Sequence, residues 1–295
     1  MRKVIVFTGK GGVGKTTSAA ATALHHAATG KRTLVISTDA TPSLSHIFEV
    51  DGGNKSSRVQ ELLEIRELGT KEVREMWDRK FGREVYEVFS SFVSINYKEF
   101  VEFMTSLLPG LSDEFMVDYI RELSGKDGYD SIIWDTAPLG QTLTLLQTPT
   151  MLREHLRMAP RIYSKLKLGQ ISKEPILEII KRWEQLSSDN MDFLQNEVQF
   201  TMVTIPEALA TEQLQGVISE LGKYGLGLQR LIINNVVKAN DSDFLLTKAR
   251  HQESYLKVIY DKYSDLPIVE IPMFSHDIKG LGRLNEVARV LFPDS

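Results

Sequence analysis

The sequence predicts an α/β fold: a doubly wound, mostly parallel sheet carrying an inserted helical subdomain. Three observations predict it. First, six short β-branched runs recur along the chain, Val4–Thr8, Thr33–Thr38, Ser131–Trp134, Phe200–Ile205, Leu231–Val237 and Ile268–Ile271. Most are apolar throughout rather than alternating, as strands covered on both faces of a parallel sheet are. Second, helical patterns lie between them, and strand–helix alternation implies a doubly wound sheet. Third, residues 70–127 and 150–197 contain no convincing strand and read as helices.

Taken in order, the first run leads directly into GKGGVGKTT, Gly9 to Thr17. A small, Ala-rich helix over Lys15–Thr29 follows, with Gly30 as its C-cap. The second run ends at Asp39 in TLVISTD, and the third ends at Asp135 in SIIWD. Leu209–Lys223 and Asp241–Tyr263 carry apolar and polar groups at helical spacing. These patterns give a single domain over 1–295, with a core of 1–69, 128–149 and 198–295 and a helical subdomain of 70–127 and 150–197.

The composition sets limits. With 42% hydrophobic and 25% charged residues the chain is of ordinary globular type. A net charge of -4 gives no overall field for nucleic acid, and no nucleic-acid partner is expected. The chain has no cysteine, which excludes disulfides, iron–sulfur clusters and thiolate metal sites. No apolar run approaches ~18 residues, and no leader precedes the first strand, so the chain reads as cytosolic.

GKGGVGKTT fits the phosphate-loop pattern, with Gly9, Gly14, Lys15 and Thr16 in register. Gly11, Gly12 and Gly14 let backbone N–H groups turn toward an anion, around Val13. Lys15 suits the β- and γ-phosphates of a nucleotide, the Thr16 hydroxyl suits Mg2+, and the positive helix end at Thr17 adds to the anion site. Asp39 and Asp135 fall at the carboxyl edge of strands, where such sheets bind ligands. An aspartate after a strand is by itself commonly a helix cap. Together with the loop, the pair suggests Asp39 orienting an attacking water and Asp135 holding Mg2+ through water. Lys10 stands on the wrong side of the loop to duplicate Lys15. A lysine there can neutralise phosphate charge across a dimer interface, as an arginine finger does in trans.

Four blocks then resemble the arsenite-pump and tail-anchored-protein-targeting ATPase family, a deviant phosphate-loop class. They are GKGGVGKTT, STDATPSLSHIF (37–48), DTAPLGQTLTLLQTP (135–149), and LIINNVV (231–237) with IPMFSHDIKGL (271–281). The resemblance implies ATP and Mg2+ as ligands. It also implies Lys10 acting in trans, Asp39 as the water-orienting residue, and Asp135 as the aspartate of the second switch. It makes Asn234 the adenine-reading residue and Pro272, Met273 and Phe274 the loop packed on the base. The family works as a homodimer or an imitation of one. Its targeting members carry apolar tail-anchored helices to a membrane receptor, and its pump members energise arsenite export. Targeting members carry a zinc-binding Cys-x-x-Cys pair; the matching stretch, Asp241–His251, has none, and no zinc is expected. Switch one reads Ala-Thr-Pro where the family has Pro-Ala-His.

The helical segments hold six of the nine methionines, Met76, Met104, Met116, Met151, Met158 and Met191, with aromatics such as Phe100 and Phe103 nearby. Such a set reads either as the interior of a bundle or as the lining of a groove for an apolar client helix. In Met151–Leu168, Arg153, Arg157, Arg161 and Lys165 form a basic stripe opposite an apolar face, which can be a solvated face or meet a membrane or an acidic partner. A positioning or scaffold ATPase without a client groove is the remaining expectation.

Overall fold

The computed structural model describes residues 3–37, 43–50, 56–90, 94–107, 111–136, 154, 173–238 and 241–293. The chain separates into two compact units, one of residues 1–68, 126–143 and 197–295, the other of 69–125 and 144–196.

The first unit is built on an eight-stranded sheet in the order β3-β4-β2-β5-β1-β6-β7-β8. The strands are β1 (Val4–Thr8), β2 (Thr33–Ser37), β3 (Ser56–Gln60), β4 (Leu63–Glu67), β5 (Ser131–Asp135), β6 (Val198–Thr204), β7 (Leu228–Val236) and β8 (Ile268–Pro272). All neighbours run parallel except β3, which is antiparallel to β4. The six apolar runs therefore each form a strand. β3 and β4 are two strands that the apolar runs did not announce. β3, SSRVQ, is a polar edge strand, and β4, LEIRE, buries only alternate residues. A search for continuous apolar runs passes over both.

β1, β2 and β5 are buried at every position, so both faces of the central sheet are covered. Successive side chains of a strand point to opposite faces. Ile5, Phe7, Val35 and Ile133 thus join one cluster with helix α1 (Lys15–Ala28) and the C-terminal helix, leaving Val4, Val6, Leu34, Ile36, Ile132 and Trp134 to the other face. The alanines of α1 explain its placement over the sheet centre. Ala19, Ala20, Ala21 and Ala23 are wholly buried, and small side chains let the helix backbone come close.

The remaining helices, in chain order, are α2 (Leu44–Phe48), α3 (Thr70–Trp77), α4 (Arg83–Ser90), α5 (Tyr97–Leu107), α6 (Leu111–Ser124), α7 (Lys173–Asn196), α8 (Ala208–Lys223), α9 (Asp243–Lys262) and α10 (Gly280–Leu291). A π turn, Asp78–Gly82, joins α3 to α4.

In the second unit α3, α4, α5, α6 and α7 surround Trp77, Phe100, Val101 and Met116, with Met76, Tyr86 and Leu186 packed against them. Met191 is also buried. Phe100, Met116 and Met191 are therefore interior residues of the helical unit. The side chains of Phe103 and Met104, and residues Met151 and Met158, lie outside the description, as does the basic stripe 153–165. Asp118 is only 2% exposed, and its carboxylate takes both Lys80 and Arg121, the latter at 2.9 Å. A buried carboxylate so placed has to be paired, because leaving it alone costs more than the pair gains. No helix among the described residues is long and apolar enough to cross a membrane.

At the end of α1 remote from the loop, the paired histidines fasten the C-terminal helix. His25 stacks on Phe292 with ring centroids 4.0 Å apart, and Arg230 lies 4.9 Å over the same ring. Arg230 also donates to the Leu291 carbonyl at 2.6 Å, capping α10. His26 is 3% exposed, and its Nδ1 lies 2.7 Å from Ser131 Oγ. Burial first, then the positive charges of Lys31, His25 and Arg230, push His26 down to about 4.

The unfolded chain, with His26 near its ordinary value, binds this proton more readily than the fold does. The stabilising effect of neutral His26 is therefore complete above about pH 6.5 and fades as pH falls toward about 4. Lowering the pH from 7 to 4.5 is expected to remove on the order of 2–3 kcal/mol through this residue. His26→Asn, which can still bond Ser131, should flatten that stretch of the stability–pH curve. An unaltered slope in urea titrations would show that other groups dominate.

Candidate functional site

The loop after β1 lies at the middle of the sheet's carboxyl edge, because β1 pairs with β5 on one side and β6 on the other. Its glycines meet different demands. At Gly9 a Cβ would lie 2.2 Å from the Val203 carbonyl oxygen of β6. At Gly14, φ is +98° and a Cβ would lie 2.2 Å from Asn234 Nδ2. Gly12 has φ +78° with open space around it, so backbone conformation rather than crowding selects glycine there.

Gly14 is the N-cap of α1 and has no side chain to cap it, and the first turn carries no acidic residue. The first amides of a helix lack partners within the helix and favour an anion. Lys15, 7% exposed, folds back so that Nζ donates to the Lys10 carbonyl at 3.1 Å, crossing the mouth of the loop. Val13 is buried and Thr17 half-buried. Lys10 is itself half-buried, and its side chain stands outside the bonds that brace the loop.

Parallel pairing sets Asp135 opposite both Phe7 and Ser37. Asp135 is 1% exposed, and Thr16 Oγ1 donates to its Oδ2 at 2.7 Å. Thr136 secures the same strand end by donating to the Phe7 carbonyl at 2.8 Å. A hydroxyl and a carboxylate at one point are hard oxygen donors. That set suits Mg2+, which keeps water and phosphate oxygens for its other positions. Among the described residues there is no cluster of three or more His, Asp or Glu that would form an all-protein metal cage.

β7 and β8 bring their ends against the loop. Asn234 Nδ2 donates to the Val13 carbonyl at 2.8 Å, tying the end of β7 to the loop. Asn235 has φ +58°, a conformation asparagine tolerates better than most residues. The buried Gln252 of α9 braces this turn, accepting from Val237 N at 2.8 Å and donating to the Asn235 carbonyl at 2.9 Å. Met273 N donates to the Val236 carbonyl at 2.9 Å, which brings Pro272 and the exposed Met273 against the same turn. Phe274 is half-buried, with its ring 5.6 Å from that of His276. The structure thus gathers Lys10, Lys15, Thr16 and Asp135 at the loop, and Asn234 with Pro272–Phe274 at the adjoining strand ends.

Asp39 lies outside the described residues, as does 137–149 of the second switch block. Both flanks of 38–42 are hydrogen-bonded to β4 and its end. Ser37 O accepts from Leu68 N at 2.9 Å, and Glu67 Oε1 accepts from Leu44 N at 2.9 Å and Ser45 N at 3.4 Å. Glu67, on β4, therefore caps α2, and Ser43 at the N-cap position makes no side-chain cap bond. The sequence marks neither Glu67 nor Gln252. Each acts on backbone amides far along the chain or across a turn, and no local pattern marks such a partner.

Glu67→Ala is expected to cost about 1 kcal/mol, the usual loss of an N-cap. Glu67→Gln keeps an acceptor oxygen and should recover most of it. Equal denaturation midpoints for wild type and Glu67→Ala would reject the capping role.

The chain matches the family described as anion-transporting ATPase over residues 2–293. A protein of Aquifex aeolicus, provisionally named arsenical pump-driving ATPase 2, is 30% identical over 300 residues, covering 98% of this chain and 99% of its own. A Paramecium tetraurelia protein named ATPase ASNA1 homolog 1 is 26% identical over 307 residues, covering 98% of this chain and 92% of its own. A Botryotinia fuckeliana protein named ATPase get3 is 26% identical over 306 residues, covering 96% and 87%.

Proposed function

The chain belongs to the anion-transporting ATPase family and hydrolyses ATP, and from that premise we propose a Mg2+-dependent homodimeric switch that carries apolar, tail-anchored membrane-protein segments to a membrane receptor. The observation that carries the nucleotide part is the Thr16–Asp135 contact of 2.7 Å beside the glycine loop. It supports the reading because oxygens suited to Mg2+ lie beside a helix end and an ammonium suited to phosphate.

The reading assigns these roles. The amides of Gly9–Thr17 and Lys15 hold the phosphates. Thr16 would hold Mg2+ directly and Asp135 through water, and the metal would supply charge neutralisation to the phosphates. Asp39 orients a water whose oxygen bonds to the γ-phosphorus as the bridge to the β-phosphate breaks, giving ADP and phosphate. Pro272, Met273 and Phe274 flank the base, beside Asn234. Lys10 reaches the γ-phosphate bound by a second copy. Its ammonium is not committed to the loop that its own carbonyl braces through Lys15. Hydrolysis then requires the dimer to close, and closure reports the nucleotide state to the helical unit.

The relation to a protein named for an arsenical pump favours a second reading, a subunit that drives a membrane anion pump. The absence of cysteine removes thiolate capture of arsenite from that reading but leaves the motor role.

Subunit mixing tests the trans lysine. Lys10→Ala and Asp39→Asn homodimers should each lose at least ~10²-fold in rate, by analogy with finger residues. Mixed dimers then combine an intact Asp39 with an intact Lys10 in one of their two sites. A 1:1 mixture should recover about a quarter of wild-type activity. No recovery, with mixed dimers demonstrated, assigns Lys10 to its own site.

Co-purification with a tail-anchored test helix separates the two cargo readings. Retention that depends on nucleotide supports the targeting role. A helix not retained with ATP, with ADP or without nucleotide would sink it and leave the pump motor or a scaffold ATPase without a client groove.

A further inference from the structure

We propose that Asn234 is a positioning residue for the phosphate loop, one that couples the base side of the site to the amides that grip phosphate. This rests on the reading of Gly9–Thr17 as the ATP phosphate site and adds a role distinct from contact with the base.

The argument begins with the peptide between Val13 and Gly14. Asn234 Nδ2 donates to the Val13 carbonyl at 2.8 Å. In a trans peptide the C=O and the following N–H point in opposite directions. Drawing the Val13 oxygen toward β7 therefore turns the Gly14 N–H away from β7. That N–H opens the run of amides at the start of α1 that have no carbonyl partner within the helix, and no side chain of the N-cap residue caps it. Val13 is buried on one side and Ser18 N donates to the Gly14 carbonyl at 3.0 Å on the other, and the Asn234 bond acts on the Val13 carbonyl between them. Gly14 has no side chain, and its φ of +98° is one that glycine adopts as readily as its alternatives. Without the Asn234 bond, the peptide could rotate and the amide would lose its aim.

Sterics support the same assignment. A Cβ on Gly14 would meet Asn234 Nδ2 at 2.2 Å, so the asparagine amide occupies the space that the glycine leaves. The two residues lie 220 positions apart and specify each other. Chemistry selects asparagine: the acceptor is a carbonyl, so the partner must donate. Aspartate of the same shape would instead set a negative oxygen against the carbonyl and near incoming phosphate. The donor strand end is itself held rigid. Gln252 bonds both sides of the turn at Asn235–Val237, and Met273 N bonds Val236 O. Movement of the base-side turn is thereby transmitted to the Val13 peptide through a single hydrogen bond.

Inorganic tripolyphosphate, which has no base, distinguishes this role from base reading. Its competition against ATP hydrolysis is measured, with Mg2+, for wild type, Asn234→Ala and the isosteric Asn234→Asp, which keeps the shape should alanine not fold. Asn234→Ala is expected to weaken tripolyphosphate about 3- to 10-fold, the worth of one neutral hydrogen bond, Asn234→Asp by more because it adds a negative charge, and each to weaken ATP by at least as much. Amide exchange in nucleotide-free protein should quicken across residues 9–15 and stay unchanged in β1 and β5. Unaltered tripolyphosphate competition alongside weakened ATP binding would overturn the proposal and leave Asn234 a contact of the base alone. Failure of tripolyphosphate to compete in the wild type would instead remove the phosphate-site reading beneath it.

Discussion

At Gly9 the backbone passes so close to β6 that a Cβ would stand 2.2 Å from the Val203 carbonyl oxygen, and at Gly14 the same crowding comes from Asn234. The phosphate loop is therefore wedged between its own strand and the ends of β6 and β7. This constraint orders the rest of the site. It turns α1 so that its N-terminus faces the carboxyl edge, places Thr16 within 2.7 Å of Asp135, and leaves Lys15 able to span the loop to Lys10 O. Even with more room these positions would keep glycine for their positive φ, +152° and +98°, so crowding and backbone conformation act together.

The wedge depends in turn on a sheet that does not shift. β1, the central parallel strand, is buried on both faces, and the wholly buried alanines of α1 hold that helix against it. At roughly 1.5–3 kcal/mol per fully buried large side chain, Phe7, Trp134, Leu34 and Ile36 resist any sliding of one strand on another. The opposite end of α1 is secured as well, through His25, Phe292 and Arg230. The helix whose N-terminus faces the ligand is thus fixed along its whole length. This is what preorganised binding of a multiply charged anion requires, because amides that must reorient on binding weaken it.

The parts of this arrangement that could be read in the sequence are those with local causes. GKGGVGKTT shows itself because positive φ and close approach both demand glycine within a few residues. The central strands show themselves because burial on both faces leaves an unbroken apolar run. Asp135 follows from the strand that ends on it. Features with distant causes stayed hidden. β3 and β4 alternate or are polar because one edge of the sheet meets water. Glu67 caps a helix 23 residues upstream, and Gln252 braces a turn from 15 residues away, each through a bond to backbone that any sequence supplies. The methionines of the helical segments were ambiguous for a related reason. A stripe of apolar residues looks the same whether it packs inward or lines a groove, and burial places Met116 and Met191 inward.

Connectivity gives the strand ends a further consequence. The chain passes to the helical unit at residue 69, one residue after Leu68 bonds Ser37 and two after Glu67 caps α2. It returns for the last time at residue 197, one residue before β6, the strand that crowds Gly9. Both flanks of the 38–42 segment are therefore fastened to the two residues that precede the crossing. A change at Ser37 or Leu44 pulls on Glu67 and Leu68 through hydrogen bonds, and on Gly69 through the peptide chain itself. From the bonded strand end at Glu67 and Leu68 to Gly69, the first residue of the second unit, the chain runs only one or two residues.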